Sequence, residues 1–315
     1  MRVVFLGSQE IGARCLEVIL RGGHDVVGVG LEKPGAHETW ADDVTRVMEE
    51  HGLPHLRGRR FRTERAQAAL RDLRPDILFA IGWRWILPPE VLAVPPRGCL
   101  GIHGSLLPRL RGFAPVNWAL IRDEPQTGPT LFYFDDGTDT GDIVGQNPFP
   151  LTDEDDAATV RARLADAAVE LLERELPGLA AGNAPRVRQT GEGATYGPQR
   201  RPEDGVIDWS RSPREIFNWV RGLTRPYPGA FSHAGGRKVT VWKVRPSGRP
   251  AEGAAPAGKA PAPGSVVADG TRIIAGTGGG AVEILDAEVE GAADWRDALR
   301  SAEGFDRPEA APEGS

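Results

Sequence analysis

The sequence predicts an α/β protein in which a Rossmann-like, doubly wound parallel sheet is followed by a smaller, OB-like β-barrel domain. At 315 residues the chain is longer than a usual single domain. Its first part alternates short apolar strands with helix-like segments, and after about Gly191 the pattern changes to short β-rich pieces separated by turn residues. We therefore expect a first domain at residues 1–190, a second at 191–302 and a disordered tail at 303–315.

The elements of the first domain are predicted from short apolar runs and the segments between them. Strands are expected at Val3–Leu6, His24–Gly30 and Asp76–Ile81. Helices are expected at Ala13–Leu20 and Thr63–Leu73. This alternation is typical of a parallel sheet, because neighbouring parallel strands need a crossover connection.

A long helix is predicted to close the first domain. Thr152 is expected to cap it, with Asp155 at the third helical position. Apolar side chains then fall on one face at helical spacing: Val160, Leu164, Ala168, Leu171, Leu172 and Leu176. We expect this face to be buried.

The second domain is predicted to hold one helix, Ser212–Leu223, and several short strands. The strands are expected at Gly229–His233, Lys238–Val244, Gly264–Val267, Thr271–Ala275 and Ala281–Ala287. Residues 246–263 are rich in Pro, Ala and Gly and contain few large apolar side chains, so we expect a flexible loop there.

Composition excludes several classes of protein. The chain is 40% hydrophobic and 26% charged with a formal net charge of -6, which is ordinary for a globular protein and unfavourable for holding a polyanion. It contains no run of about 18 apolar residues and no signal-peptide pattern. We therefore expect a cytoplasmic protein that binds neither membranes nor nucleic acid. Cys15 and Cys99 have neither disulfide nor metal-ligand spacing, so no metal is expected.

Three stretches are similar to common binding motifs without matching them. Gly7–Gly12 is not GxGxxG, which disfavours a nicotinamide dinucleotide, and Gly7 and Ser8 are expected in a tight turn beside a ligand cleft. The acidic run DDGTDTGD lacks the twelfth-position Glu of an EF-hand. A basic run is expected to be a solvated surface, with a phosphate or nucleic-acid contact as the alternative: Arg57, Arg59, Arg60, Arg62 and Arg65.

A lone histidine, His103, ends an apolar run in CLGIHGSLLP, and an acidic loop that contains Asp139 follows about 36 residues later. A single histidine is more often structural than catalytic, and spacing alone does not join it to a carboxylate. The residues by themselves therefore leave the chemistry of this α/β protein open.

Several spaced motifs together resemble the formyltransferases that use 10-formyltetrahydrofolate. The motifs are HGSLLPRLRG, PVNWAL and GTDTGDIVGQ, with RPEDGVIDW and RPYPGAFS in the second half. The resemblance runs from Met1 to about Val244. Within the family, the chain is most similar to enzymes that formylate amino groups on nucleotide-linked sugars. The resemblance implies 10-formyltetrahydrofolate as cosubstrate, no metal, and a small-molecule amine as acceptor.

The resemblance also implies catalytic roles. His103 matches a histidine that donates to the formyl oxygen or moves the proton of the amine, and Asp139 matches an aspartate that orients the imidazole and favours its charged form. The family's asparagine is replaced by Gly101. Three explanations stay open: a water or Asn117 supplies the missing donor, the glycine makes room for a bulkier acceptor or another one-carbon donor, or the protein is a weakened homologue that only binds ligand.

Binding residues follow from the same resemblance. It assigns the pterin of the folate to Trp83, Arg84, Trp85, Ile86 and Leu87 and to Asp136, Gly137 and Thr138. It assigns the acceptor to Gly7, Ser8, Ser105, Arg109, Arg111, Gly112 and Asn117. Arg111 or Arg109 suits a diphosphate because a guanidinium can bind two oxygens at once, with a surface salt bridge as the alternative for each.

A nucleotide-linked amino sugar is the expected acceptor. Initiator-tRNA formyltransferases also resemble the chain, but they carry a basic insertion after the second strand. The corresponding segment Leu31–Glu50 is acidic and disfavours contact with phosphates; its charged residues are Glu32, Glu38, Asp42, Asp43, Glu49 and Glu50 against Lys33 and Arg46. An amino-acid-type amine such as hydroxyornithine, or a natural-product amine, stays open. Analogy alone suggests a homodimer through the second domain.

Overall fold

The structure is a computed structural model that describes residues 1–31, 43–57, 61–247, 261–302 and 304–306. The helices are α1 (Gln9–Arg21), α2 (Asp43–Glu50), α3 (Glu64–Asp72), α4 (Pro89–Leu92), α5 (Pro115–Ile121), α6 (Ala157–Ala181), α7 (Pro213–Leu223) and α8 (Trp295–Arg300). The strands are β1 (Arg2–Gly7), β2 (Asp25–Leu31), β3 (Ile77–Ile81), β4 (Cys99–His103), β5 (Arg111–Gly112), β6 (Gln126–Thr127), β7 (Thr130–Tyr133), β8 (Ile143–Gln146), β9 (Phe149–Pro150), β10 (Tyr196–Gly197), β11 (Ala230–Ala234), β12 (Arg237–Ser247), β13 (Val266–Asp269), β14 (Arg272–Thr277) and β15 (Gly280–Val289).

The chain forms two compact units. The first comprises Met1–Val116, Pro125–Leu151 and Val160–Gln199, and the second comprises Asn117–Glu124, Thr152–Thr159 and Arg200–Ser315. The main break therefore lies between Gln199 and Arg200, and two short earlier segments also belong to the second unit.

The first unit is built on a six-stranded sheet in the order β2-β1-β3-β4-β7-β8. The first four strands are parallel, and β7 and β8 are antiparallel to their neighbours. Both faces are covered, since Val3 and Phe5 of β1 pack in one apolar cluster with α1 and α6, whereas Val4 and Leu6 pack in another with α3 and α4. Burial on both faces explains why these strands are continuous apolar runs. The predicted α/β class is confirmed.

The long helix α6 buries the face that the sequence indicated, but its start was predicted wrongly. The amide and hydroxyl of Thr152 donate to Asp155 Oδ2 over 2.8 and 3.0 Å, in a turn before the helix. Asp156 Oδ1 accepts from the amides of Ala158 and Thr159. Because Asp156 satisfies the first free amides, the helix begins at Ala157.

The second unit contains a five-stranded antiparallel sheet in the order β11-β12-β15-β14-β13. Helix α7 begins with a reciprocal capping box between Ser212 and Glu215, as its sequence pattern predicts. Apolar side chains from α7 and from four of the strands form one cluster. A second helix, α8, was not predicted.

The predicted flexible loop and the predicted disordered tail each include described residues that the structure places in ordered contacts. Pro246 and Ser247 belong to strand β12, where they pair with Val282 and Ala281. Gly304–Asp306 is ordered, since the Phe305 ring stacks on Trp209 with centroids 4.5 Å apart. The remaining parts of both predictions, residues 248–260 and 303 with 307–315, lie outside the described residues, as do residues 32–42 and Arg59 and Arg60. None of the described helices is both long and apolar enough to cross a bilayer.

Candidate active site

The carboxyl ends of three parallel strands meet at one edge of the first unit's sheet. Gly7 at the end of β1 is paired with Ile81 at the end of β3, and Ala80 is paired with Gly101 in β4. The hydroxyl of Ser8 donates to the carbonyl of Gly82 over 2.5 Å, which ties the loops after β1 and β3 together. Gly7 and Ser8 thus lie in a tight turn, and this edge is where ligands bind in open α/β sheets.

His103 is the last residue of β4, and its imidazole is buried. Its Nε2 lies 2.7 Å from the carbonyl oxygen of Leu110. Since a carbonyl only accepts, Nε2 carries a hydrogen, and a proton can be gained or lost only at Nδ1. Nδ1 faces Asp139 Oδ2 at 3.5 Å. In the charged form, the Nε2 hydrogen is bound by the Leu110 carbonyl, and the positive charge of the ring faces the Asp139 carboxylate.

Asp139 comes from the loop between β7 and β8 and has a left-handed backbone conformation, with φ +54°. Its Oδ2 accepts a hydrogen bond from the amide of Gly112 over 2.7 Å. Gly112 itself has φ +89°, a conformation that favours glycine. The carboxylate is thus held between a backbone donor and the imidazole, and the structure brings together the two residues that the sequence assigned to catalysis.

The place beside Gly101 is occupied by a side chain that sequence reasoning did not find. Gly101 and His103 lie two residues apart in β4 and face the same side of the sheet. A Cβ atom at position 101 would lie 2.7 Å from Cε1 of Phe134, closer still to its Cζ, and 3.1 Å from the carbonyl oxygen of Ala80. The Phe134 ring packs edge-on against Phe132, with centroids 5.2 Å apart. The space that a Cβ atom would take at this position is filled by Phe134 of the chain itself, which disfavours the explanation that the glycine makes room for a bulkier acceptor.

Asn117, the other residue considered as a replacement donor, is already engaged. Its side-chain nitrogen donates to the carbonyl of Gly222 over 2.7 Å within the second unit, and the residue is buried. The Asn117 amide therefore stabilises contacts inside that unit.

The residues assigned to the acceptor divide into buried and exposed ones. The Ser105 hydroxyl is buried and donates to the carbonyl of Arg109 over 2.6 Å. Arg111 is buried, and its guanidinium donates to Gln189 Oε1 and to the Tyr196 hydroxyl. The predicted role of Arg111 as a diphosphate ligand is corrected accordingly, because its guanidinium nitrogens already donate to side chains of the protein. Arg109 is exposed.

The segment assigned to the pterin follows β3 at the same edge. Leu87 is buried, whereas Ile86 is 80% exposed. The Trp83 ring lies 6.4 Å from that of Phe61, and its buried Nε1 has no hydrogen-bond partner among the described residues. Arg84 is exposed and Trp85 is half-buried. In the second assigned loop, Asp136, Gly137 and Thr138 are exposed, and the amide of Gly137 donates to Asp135 Oδ1.

The two cysteines do not supply a nucleophile. Burial raises the pKa of the Cys15 and Cys99 thiols to about 12, so both are protonated at neutral pH. Among the residues that the structure describes, no three His, Cys, Asp or Glu side chains are grouped to hold a metal ion. The chemistry that the arrangement offers is proton transfer and charge stabilisation by His103 and Asp139.

Comparison with known proteins identifies the family. Residues 1–176 match the formyl transferase family, and residues 200–301 match its C-terminal domain. The methionyl-tRNA formyltransferase of Pelotomaculum thermopropionicum is 35% identical over 298 residues, covering 93% of this chain and 92% of that protein. That of Geobacter sulfurreducens is 33% identical over 296 residues, covering 92% and 90%.

Solved structures with the same fold include sugar-modifying enzymes. The N-formyltransferase from Helicobacter canadensis in complex with folinic acid and dTDP-3-aminofucose has a TM-score of 0.69 at 16% identity, covering 91% of this chain and all of that one (100%). WlaRD, a sugar 3N-formyl transferase solved with dTDP and 5-N-formyl-THF, has a TM-score of 0.68 at 16% identity, covering 93% and 98%. HypX from Aquifex aeolicus with tetrahydrofolic acid has a TM-score of 0.62 at 22% identity, covering 91% and 44%.

Both halves of the chain match the family, and curated relatives at 33–35% identity align over nearly its whole length. The chain therefore belongs to the formyl transferase family and is an enzyme of formyl transfer.

Proposed function

We propose that the chain transfers the formyl group of 10-formyltetrahydrofolate to the primary amine of a small molecule, and that the acceptor is a nucleotide-linked amino sugar. The observation that carries the reaction is the pair formed by His103 and Asp139, with Nδ1 and Oδ2 3.5 Å apart at the carboxyl edge of the sheet. Formylation of an amine requires negative charge to be stabilised on the formyl oxygen and a proton to leave the nitrogen. An imidazole beside a carboxylate supports both steps.

His103 performs the proton transfer in this proposal. The Leu110 carbonyl holds Nε2 as a donor, so the proton that leaves the amine is taken up at Nδ1. Asp139 balances the positive charge that the imidazole gains, and the Gly112 amide keeps the carboxylate in place. The resulting imidazolium stabilises negative charge on the formyl oxygen electrostatically. When the tetrahedral adduct collapses, the bond between the formyl carbon and N10 of the folate breaks and the Nδ1 proton passes to that nitrogen, so tetrahydrofolate leaves and His103 is neutral again. With Gly101 and Phe134 in place of an amide donor, this charge carries more of the stabilisation.

The residues after β3 fit a folate. The folate supplies an activated formyl carbon when it is bound. Ile86 presents an exposed apolar side chain, and Trp83 Nε1 is a buried donor without a partner in the described part of the chain. A pterin needs this combination of apolar surface and a few polar groups, because its flat faces pack against apolar side chains while its edge carries hydrogen-bond donors and acceptors. The folate complexes of structures with the same fold support this assignment.

Two exposed aromatic residues support a nucleotide acceptor. Phe113 is 50% exposed and Tyr196 is 52% exposed, directly beside β5 and in its partner strand β10. Aromatic faces of this kind stack on planar bases. Arg109 in the preceding loop is exposed, and its guanidinium, which can bind two oxygens at once, is the candidate for a diphosphate. Two structures with the same fold, one solved with dTDP and one with dTDP-3-aminofucose, support this choice.

Formylation of methionyl-tRNA is the second candidate, because the curated relatives at 33–35% identity carry that name. The net charge of -6 and the acidic segment Leu31–Glu50 oppose it, since a tRNA contact depends on neutralising phosphates. An amino-acid-type amine would need neither a diphosphate site nor an aromatic platform. A homologue that binds folate without catalysis is the remaining alternative.

The test is release of tetrahydrofolate from 10-formyltetrahydrofolate by the purified protein. The acceptors are UDP-, dTDP- and GDP-linked amino sugars, hydroxyornithine and charged initiator tRNA, with His103→Gln as control. Turnover with one nucleotide sugar supports the proposal, and turnover with tRNA or hydroxyornithine alone overturns the acceptor assignment. Folate binding without turnover of any acceptor in the panel rejects the proposed enzymatic activity in favour of a homologue that only binds folate.

A further inference from the structure

The segment from residue 189 to residue 197 lies between the two ranges that match the family, which end at 176 and begin at 200. It belongs to the first unit, and its strand β10 runs parallel to β5. Strand β5 carries Gly112, whose amide holds Asp139, and it directly follows Leu110, whose carbonyl holds His103. The segment is thus bonded to the backbone that orients both members of the catalytic pair.

Thr195 holds the backbone around Leu110, whose carbonyl binds His103. Its hydroxyl accepts from the amide of Leu110 over 2.8 Å, and its carbonyl accepts from the amide of Arg111, also over 2.8 Å. Leu110 has φ +55°, so its peptide groups need such partners to keep the carbonyl on His103. These bonds determine where the acceptor of Nε2 lies.

Gln189 joins the two sides. Its Oε1 accepts from Nε and Nη2 of Arg111 over 3.2 and 2.6 Å, and its Nε2 donates to the carbonyls of Asp139 and Gly141 over 3.0 and 2.7 Å. The orientation of the amide is unambiguous, because a guanidinium only donates and backbone carbonyls only accept. All four hydrogen-bonding positions of the carboxamide are used. They connect Arg111, which follows Leu110 in the chain, to Asp139, which faces His103.

We propose that Gln189 is a positioning residue of the active site, which sets the separation of His103 Nδ1 and Asp139 Oδ2 by fixing the backbone of Asp139 to Arg111. The inference rests on the proposed catalytic role of His103 and Asp139. Gln189 touches neither reacting atom and acts through Asp139. A displacement of about 1 Å at a catalytic group typically lowers the rate by roughly 10²-fold, so a loosened Asp139 loop reduces kcat.

Gln189→Glu is the sharpest variant. A carboxylate keeps the contact with Arg111 and strengthens it by charge, but it cannot donate to the Asp139 and Gly141 carbonyls. Gln189→Ala removes the hydrogen bonds to Arg111 and those to the Asp139 and Gly141 carbonyls. Thr195→Val removes the side-chain acceptor for the Leu110 amide while preserving the shape of the side chain. Thr190→Ala is the matched control, because Thr190 is an exposed neighbour whose hydroxyl accepts from the Glu192 amide and bonds to neither Arg111 nor Asp139.

Two readouts separate this inference from the proposed function. The side-chain ¹⁵N resonances of His103, assigned with His103→Gln, report the hydrogen bonds at Nδ1 and Nε2 without any need for turnover. We expect Gln189→Glu to shift the Nδ1 resonance and Thr195→Val to shift the Nε2 resonance. We also expect kcat to fall roughly 10–100-fold in Gln189→Glu with KM for the formyl donor little changed, and Thr190→Ala to match the wild type.

Wild-type His103 resonances in folded Gln189→Glu, Gln189→Ala and Thr195→Val proteins overturn the inference. So does a wild-type kcat in Gln189→Glu. If the wild type turns over none of the acceptors but the resonances shift as expected, the proposed function fails while the positioning of His103 and Asp139 by Gln189 stands.

Discussion

Gly101→Asn restores the residue type that the family resemblance places two residues before His103, and the structure predicts that it does not raise the rate. The new Cβ atom would lie 2.7 Å from Phe134 Cε1 and 3.1 Å from the Ala80 carbonyl oxygen. Real Cβ contacts are longer than the first of these distances, so the ring has to move. Overpacking of this kind costs about 1–3 kcal/mol of unfolding free energy.

Removing the ring tests this explanation quantitatively. Phe134 is partly buried against the cluster that covers β3. Truncating a fully buried Phe to Ala costs roughly 3–5 kcal/mol, so Phe134→Ala should cost about half of that. In Gly101→Asn with Phe134→Ala the overlap is absent, so the double variant should lose less than the sum of the two single variants. The coupling should equal the overpacking term, about 1–3 kcal/mol.

The assay is denaturant unfolding of all four proteins together with kcat for the acceptor found in the panel. An added oxyanion donor is worth roughly 10²–10³ in rate where it can reach the oxygen. We therefore expect kcat to rise only when Gly101→Asn is added to Phe134→Ala, and not when it is added to the wild type. Additive unfolding free energies, or a Gly101→Asn protein that is as stable as the wild type and faster, would refute the conclusion that Phe134 fills this position.

Three further outcomes are expected. His103→Gln should abolish turnover and Asp139→Asn should lower kcat by about 10²-fold or more, because proton transfer by a positioned side chain typically contributes a factor of 10²–10⁴ to the rate. A near-wild-type kcat in either variant, once circular dichroism has shown that the variant is folded, would contradict the assignment. Phe305→Ala should lower the unfolding free energy by about 3 kcal/mol, since the ring is only 9% exposed and stacks on Trp209; an unchanged thermal midpoint would mean that this stacking contributes nothing. Hydrogen bonds from Arg214 hold the pKa of Asp123 below its usual value of 3.8. This pair therefore stabilises the fold above that pH, and its contribution disappears as the pH falls through the lowered pKa. Because both side chains are more than a third exposed, at 42% and 44%, Asp123→Asn should cost only about 0.5 kcal/mol at pH 7 and less as the pH falls below 3.8, and a loss that does not shrink at low pH would contradict this origin.

The order of elements was determined locally and could be predicted from the sequence. The buried strands β1 and β3 are continuous apolar runs, and helix α7 begins at a Ser–Glu capping box that is visible in the sequence. The motif that contains His103 identified the family, since several spaced motifs occur together. The start of α6 was mispredicted because Thr152 and Asp156 are both acceptable caps, and only the turn formed with Asp155 decides between them.

The contents of the site were decided by the tertiary structure. Arg111 and Gln189 are 78 residues apart, and Asn117 and Gly222 are 105 residues apart. Phe134 reaches Gly101 because β7 runs antiparallel beside β4 in the sheet: Gly101 is paired with Phe132, and the Phe134 amide donates to the carbonyl of Cys99 over 2.8 Å, which places the Phe134 ring diagonally beside Gly101. Such contacts depend on strand register and loop path, which follow from packing of the whole first unit and leave no local signal in the sequence. For this reason the sequence by itself determined the fold class and the family, and only the family resemblance, not spacing, pointed to His103 and Asp139 as a pair. Only the folded chain decided that Arg111 is engaged inside the protein, that the space beside Gly101 is filled, and that Gln189 joins the two loops of the site.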